Sequence, residues 1–111
     1  MEKDFNMSYI KPGDVISPKA NWNLIAVLDE GSERRCALAI GRWTDKHTNG
    51  KIYLAMRWNG STEAPVGNPQ SRGVPTWMMV DEKYNEGLLE SGTLAPDKLT
   101  LARSFIPKPT S

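Results

Sequence analysis

The sequence is poor in the residues that build metal and redox sites, with one cysteine and one histidine in 111 residues. The lone Cys36 can form no intramolecular disulfide and completes no CxxC motif. Together with His47 it falls short of the four Cys and His ligands of a structural zinc site. We therefore predict no metal and no cofactor.

Motifs for catalysis are also missing. The chain has no GxSxG or SxxK nucleophile motif, and neither GxGxxG nor GxxxxGKS for phosphate binding. His47 lies in a polar stretch, where a solvated histidine is more common than a general base. Cys36 has apolar neighbours, which favours an unreactive buried thiol. These absences favour a protein without catalytic activity.

Long apolar runs are missing as well. None approaches the length that crosses a bilayer, and the first residues, MEKDFNM, lack the apolar core of a secretory signal. We expect a cytoplasmic protein with no membrane partner. A chain of 111 residues has the length of one domain. We predict a single domain over 1–111 with flexible ends at 1–9 and 107–111.

Three strands are predicted, over 22–29, 34–43 and 51–58. The first is apolar on both faces, as in a strand covered on both sides. In the other two, the side chains of the two faces differ in size or polarity from one residue to the next. Turn residues that include glycine separate them at 29–32 and 44–50, which indicates an antiparallel meander.

The alternation along these strands predicts which side chains share a face. On the second strand one face has only small residues, Ala37, Ala39 and Gly41. A flat face of this kind lets a neighbouring element approach closely. On the third strand Trp58 shares a face with Met56, which places Trp58 in the predicted core. The first strand is predicted to have one face formed by Trp22, Leu24, Ala26 and Leu28.

The second half of the chain begins with a long loop. Segment 59–75 has three prolines and three glycines, so neither a helix nor a strand is expected in it. Segment 76–80 is β-prone and extends the sheet. A helix over about 81–91 follows, capped by Asp81. Segment 99–106 is interpreted as a strand rather than a helix, because its first leucines alternate.

The predicted fold is mainly β. It is a twisted antiparallel sheet of five or six strands, partly closed into a small barrel, with one short helix. Segment 12–16, PGDVI, resembles the opening strand of small SH3-like barrels, which implies a barrel of that kind. An antiparallel sheet has edges, so a second copy of the chain is a predicted partner through an edge strand.

Charge is balanced overall at +1 but uneven along the chain. Between residues 34 and 72 there are seven basic and two acidic residues, and between 81 and 97 there are five acidic residues and one basic residue. The basic stretch can meet an anionic partner. Alternatively, the two stretches lie together and neutralise each other.

The candidate site is the 59–75 loop with its flanking residues. Trp58 and Trp77 flank the loop and can stack on a base, a sugar or an arginine. Basic and aromatic side chains on a sheet are typical of proteins that bind single-stranded nucleic acid. The predicted ligand-binding residues are Arg42, Trp43, Arg57, Asn68, Gln70, Ser71, Arg72 and Trp77. Alternatively, the polar groups satisfy the loop's own backbone, and Arg72 pairs with the acidic stretch.

Two segments of this region, AMRWNG at 55–60 and GNPQSRGVPTW at 67–77, resemble a pattern in a family of small uncharacterised bacterial proteins. The resemblance implies a bacterial origin, on a phage or another mobile element. It brings no activity and no catalytic residue.

The sequence therefore predicts a small non-catalytic binding module with nucleic acid as its ligand. A module that binds or inhibits a protein partner, or that assembles with itself, is the first alternative. The second alternative is a small-molecule binder or enzyme in which the 59–75 loop lines a pocket and Arg72 holds an anionic group.

Overall fold

Three long antiparallel strands organise residues 9–110, the part of the chain that this computed structural model describes. β1 (Trp22–Asp29), β2 (Cys36–Thr44) and β3 (Asn49–Trp58) follow one another in a meander. Alternating apolar residues and glycine-containing turns explain the meander, and the three predicted strands are confirmed. Of the predicted flexible ends, residues 1–8 and Ser111 lie outside the described part.

Three short strands complete the β-structure. β4 (Gln70–Ser71) and β5 (Val74–Pro75) form a separate two-stranded hairpin, and β6 (Met78–Met79) pairs antiparallel with β3. The main sheet has the order β1-β2-β3-β6. The predicted 59–75 loop therefore contains a hairpin, which the prolines and glycines of this segment allow because each of its strands has only two residues.

The sheet is mainly antiparallel, as predicted, but it is open. β1 and β6 are its outer strands, so the predicted partly closed barrel of five or six strands is not found. Closure needs tilted strands that pair along both edges, and β6 has only two residues. The segment before β6 lies over one face of the sheet instead of adding a long strand to its edge.

The helical part differs from the prediction. The expected helix over 81–91 is a 3-10 turn at Glu82–Tyr84 followed by α1 (Asn85–Leu89). The Asp81 side chain accepts a hydrogen bond from the Lys83 backbone N–H at 3.0 Å, so the predicted cap is confirmed.

A second helix, α2 (Pro96–Phe105), occupies the segment that was interpreted as a strand. Pro96 suits the first turn of a helix, because its missing N–H needs no partner there. Leu99, Ala102 and Phe105 recur every third residue and pack on the core, a helical spacing that overrides the short alternation at the start. No helix within residues 9–110 is long and apolar enough to cross a membrane.

Each face of the sheet has its own core. The helix face is covered by α1 and α2 and centres on seven buried residues, Leu28, Leu38, Ile40, Leu54, Val80, Leu89 and Ala102. The loop face is covered by the chain around residue 15 and by the segment that ends at Trp77. Its buried residues are Val15, Trp22, Ala37, Ala39, Ala55 and Trp77.

The flat part of the loop face accepts a tryptophan ring. A Cβ on Gly41 would lie 2.5 Å from Cζ2 of Trp22, so the indole packs directly on the glycine backbone. The predicted close approach at this face is therefore confirmed, and β1 supplies the approaching side chain.

Two irregularities in β1 change which of its residues share a face. The pairing with β2 shifts register between Leu24 and Ala26 and again between Val27 and Asp29. As a result Trp22, Leu24 and Val27 pack on the loop face, whereas Ile25, Ala26 and Leu28 pack on the helix face. The predicted face of Trp22, Leu24, Ala26 and Leu28 is wrong, because simple alternation ends at a bulge. Bulges also blunt an outer strand against pairing with another chain.

Candidate functional site

Arg57, a predicted ligand contact, is a buried structural residue with 1% of its surface exposed. Its Nη1 donates to the carbonyl oxygen of Thr76 at 2.5 Å and to that of Pro69 at 3.4 Å, and its Nη2 donates to the carbonyl oxygen of Val66. Burial lowers the pKa of Arg57, but a guanidinium stays protonated in proteins. The charge is therefore held by backbone carbonyl dipoles, and Arg57 ties the 66–76 segment to β3.

Trp77 is also inside the fold, with 4% of its surface exposed. Its Nε1 donates to the Val15 carbonyl oxygen at 2.6 Å, which links the two segments that cover the loop face. A side chain this deeply buried offers no stacking surface. The role predicted for Arg57 and Trp77 as direct ligand contacts is therefore replaced by a structural one.

The other six predicted contact residues lie in two separate groups. Arg42 and Trp43 are at the end of β2, opposite Ile52 and Lys51 of β3. The second group comprises Asn68, Gln70, Ser71 and Arg72, and it lies beyond the far end of β3, where Trp58 pairs with Asn68. Ile52 and Trp58 are six positions apart on β3, which corresponds to about 20 Å along an extended strand. The structure does not bring the two groups together.

The polar atoms of the first group are committed to local contacts. Arg42 is exposed and its Nη1 donates to the Gly50 carbonyl oxygen at 2.9 Å. Trp43 is half-buried and its Nε1 donates to the Asp45 carboxylate at 2.9 Å. The same carboxylate accepts the backbone N–H groups of His47 and Thr48, both at 2.7 Å. These contacts organise the turn between β2 and β3.

The hydrogen bonds from Trp43, His47 and Thr48 hold the pKa of Asp45 well below its usual range. A carboxylate whose pKa is lower in the folded than in the unfolded state stabilises the folded protein at pH values above the unfolded pKa. This contribution is lost as the pH falls towards the folded pKa. We therefore expect the wild-type protein to lose stability more steeply than Asp45→Asn between about pH 5 and about pH 2. Urea denaturation of both proteins from about pH 2 to about pH 7 measures the difference in stability, which should be largest at neutral pH. Parallel curves for the two proteins would contradict the role of Asp45.

Three members of the second group are displayed on the β4–β5 hairpin, whereas Asn68 precedes the hairpin and pairs with Trp58. Arg72 and Gly73 form its two-residue tip with φ values of 53° and 79°. Positive φ at both central residues matches the turn that suits the twist of a short hairpin. Gln70, Ser71 and Arg72 are exposed, and Arg72 forms no ion pair with any acidic residue that the structure describes.

Ion pairs neutralise much of the acidic stretch. Arg103 of α2 contacts Glu86 at 2.8 Å and Glu90 at 2.6 Å, and Lys51 of β3 contacts Glu82 at 2.8 Å. The Lys51 pair joins the basic and the acidic stretches, in agreement with the interpretation that they neutralise each other. The pairing with Arg103 lowers the pKa of Glu86.

The most prominent surface feature is an apolar groove that sequence reasoning missed. Trp58, predicted to be core, is 56% exposed, and Met78 and Tyr84 are 56% and 57% exposed. Trp58 does share the face of Leu54 and Met56, but the buried cluster on that face ends at Leu54, with Met56 partly buried against it. Trp58, two residues further along β3, lies outside this cluster.

The groove consists of two adjoining cavities of about 430 and 410 Å³. Tyr84 and Leu88 line the first, and Trp58 and Cys36 line the second, while Met56 and Met78 contribute to both. We call this surface the apolar groove and define it by these six residues. Few polar residues line it: Asp81 in the first cavity, and Asn68 and the buried Arg57 in the second.

Cys36 lies directly opposite Trp58 in the pairing of β2 with β3 and is half-buried. Burial raises the pKa of its thiol, so the group is protonated at neutral pH and is a weak nucleophile. Its surroundings therefore offer contact surface rather than covalent catalysis.

The described residues contain no cluster of three or more His, Cys, Asp and Glu side chains that could hold a metal ion. Comparisons with known protein families, with curated proteins and with solved structures found no match to this chain.

Proposed function

We propose that this protein is a non-catalytic binding module that receives an apolar segment of a protein partner in the apolar groove. The observation that carries the proposal is the exposure of Trp58, Met78 and Tyr84, each with more than half of its surface accessible, around one continuous depression. Large apolar side chains that gather on a surface mark interaction sites far more often than single exposed ones do.

The residue types support a protein partner. Tryptophan and tyrosine dominate the binding energy of protein interfaces, and methionine is enriched there. Met56 and Met78 have flexible thioether side chains that adapt to the shape of a partner. A small-molecule site places a small number of polar groups so that they converge on the ligand, whereas Asp81 and Asn68 line different cavities of the groove.

A nucleic-acid ligand is less well supported by this arrangement. Arg57 and Trp77 are buried, and the exposed members of the predicted site, such as Arg42 and Arg72, lie at opposite ends of β3. Binding of single strands needs basic and aromatic groups along one path. Trp58 lacks such a path, because its neighbours in the groove are mostly apolar and the guanidinium of Arg57, which lines the same cavity, is engaged by backbone carbonyl groups.

The proposal predicts that Trp58→Ser weakens binding of an apolar peptide by about 30-fold or more, equivalent to about 2 kcal/mol, as expected for a central aromatic contact. The peptide would first be selected on the immobilised wild-type protein from a displayed random library. Calorimetry with the wild-type and variant proteins then gives the two affinities.

Val74→Ser is the matched control, because Val74 is 49% exposed but lies on β5, outside the groove. We expect it to bind the peptide as the wild type does. Both replaced side chains are exposed, so the circular dichroism of both variants should be unchanged. Selected peptides that bind Trp58→Ser as tightly as the wild type would refute the proposal.

A further inference from the structure

Three sulfur-containing residues and one tryptophan line the second cavity of the apolar groove. Cys36, Met56, Met78 and Trp58 all line this space of about 410 Å³. Met56 lies directly opposite Met78 across β3 and β6, and Cys36 lies directly opposite Trp58 across β2 and β3. Directly opposed residues of an antiparallel pair project from the same face, with Cβ atoms about 5 Å apart.

The two pairs also share one face with each other. Met56 and Trp58 are two residues apart on β3, and a strand returns to the same face every second residue. The side chains of Cys36, Met56, Trp58 and Met78 therefore project to the same side of the sheet, around one opening. Met78 is 56% exposed, so its thioether does not fill the core.

This donor set has a distinct chemical preference. Thioether and thiolate sulfur are soft ligands that favour monovalent copper over hard ions. A thioether is neutral, so its lone pair needs no deprotonation. An indole face attracts a cation held close to it. Zinc-type ligand patterns in a sequence are built from cysteine, histidine and carboxylates, and methionines that are distant in sequence complete no such pattern.

We propose that Cys36, Met56 and Met78 form a binding site for a soft monovalent metal ion of the Cu(I) class, with Trp58 against the bound ion. On binding, the Cys36 S–H bond breaks, a sulfur–metal bond forms and the proton passes to solvent. The two methionines donate lone pairs and no electron transfer takes place. The inference goes beyond the proposed function, because it requires no protein partner and leaves the cavity of Tyr84 and Leu88 free.

The test uses Ag(I), a diamagnetic ion of the same class that is stable in air. Protein labelled with ¹³C at the methionine methyl groups is titrated with silver nitrate in a chloride-free buffer. We expect saturation at one equivalent, with shifted methyl signals for Met56 and Met78 and a shifted indole signal for Trp58. Met79 is the internal control, because it is adjacent in β6 but packs on the loop face, and its methyl signal should not move.

Leucine substitutions distinguish metal ligation by the methionine sulfurs from the effect of cavity shape. The double variant Met56→Leu with Met78→Leu keeps the apolar volume and loses both thioethers. Since loss of an outer-shell partner alone costs about 10-fold to 100-fold in metal affinity, the double variant should bind Ag(I) at least about 100-fold more weakly. Met79→Leu should bind as the wild type does.

Three results would overturn the inference. The first is an absence of binding. The second is undiminished Ag(I) binding by the double leucine variant, which would indicate reaction at the lone thiol only. The third is a set of shifts confined to methionines other than Met56 and Met78. None of these results bears on binding of the apolar peptide, which is measured without metal.

Discussion

Replacing Arg57 with methionine is expected to lower the free energy of unfolding by about 3 kcal/mol or more, because buried carbonyl groups lose their donor and each costs about 1–3 kcal/mol when left unsatisfied. Arg57 has 1% of its surface exposed, and its guanidinium donates to the carbonyl oxygens of Val66, Pro69 and Thr76. Methionine preserves most of the apolar stem, so the loss reports on the hydrogen bonds rather than on packing.

Arg42→Met is the matched control for this substitution. Arg42 is on the neighbouring strand, but it is exposed and its side chain donates to the single carbonyl of Gly50. Removing it should change stability by no more than about 0.5–1 kcal/mol. Urea denaturation of both variants measures the difference, and an Arg57→Met protein as stable as Arg42→Met would contradict the structural role of Arg57.

A single methyl group at Gly41 is expected to cost about 2–3 kcal/mol of stability, because overpacking forces side chains and backbone to move. The added Cβ would lie 2.5 Å from Cζ2 of Trp22 and 2.7 Å from the backbone carbonyl oxygen of Asn23. Trp22 is itself buried in the loop-face core, so its ring has little freedom to move.

For Gly87→Ala we expect the opposite change in stability. Gly87 lies in α1, and a Cβ there meets no atom within 4 Å. Alanine is a better helix former than glycine by about 1 kcal/mol, so this variant should be slightly more stable than the wild type. Thermal or urea unfolding of Gly41→Ala and Gly87→Ala would therefore give shifts of opposite sign. A Gly41→Ala protein as stable as the wild type would refute the packing described for Trp22.

The central strands and their turns were predictable because their pattern is local. Alternation of side chains gave the shared face of Met56 and Trp58, and the small residues of β2 indicated the close approach at Gly41. The cap at Asp81 also follows from a local preference for short polar side chains at helix starts. Each of these features depends only on neighbours within a few residues along the chain.

Features that depend on distant segments were not predictable in the same way. The bulges in β1 break alternation without any marker in the residues themselves. The exposure of Trp58 is decided by how far α1 and α2 reach along the sheet, and the strand pattern carries no information about that distance. The alternation of Leu99 and Leu101 suggested a strand, but the segment is helical because α2 packs its Leu99, Ala102 and Phe105 face against the core.

The candidate site was the least predictable part. Directional polar residues in the 59–75 loop suggested a ligand surface, yet Arg57 uses its guanidinium to satisfy that loop's own backbone. One feature of the sequence could have indicated this. Proline has no backbone N–H, so a loop with three prolines has more carbonyl acceptors than N–H donors. An arginine on a face otherwise formed by Ala37, Ala39 and Ala55 can supply the missing donors.

We propose that a partner binds in the apolar groove and not at the 59–75 loop. Amide NMR spectra of the labelled protein, recorded with the library-selected peptide and separately with a short single-stranded oligonucleotide at low salt, distinguish these two surfaces. We predict that the peptide shifts signals at Cys36, Met56, Trp58, Met78, Tyr84 and Leu88, while the oligonucleotide leaves the spectrum unchanged. Saturable, salt-sensitive shifts at Arg42 and at 70–72 with the oligonucleotide, and none in the groove with the peptide, would contradict the claim.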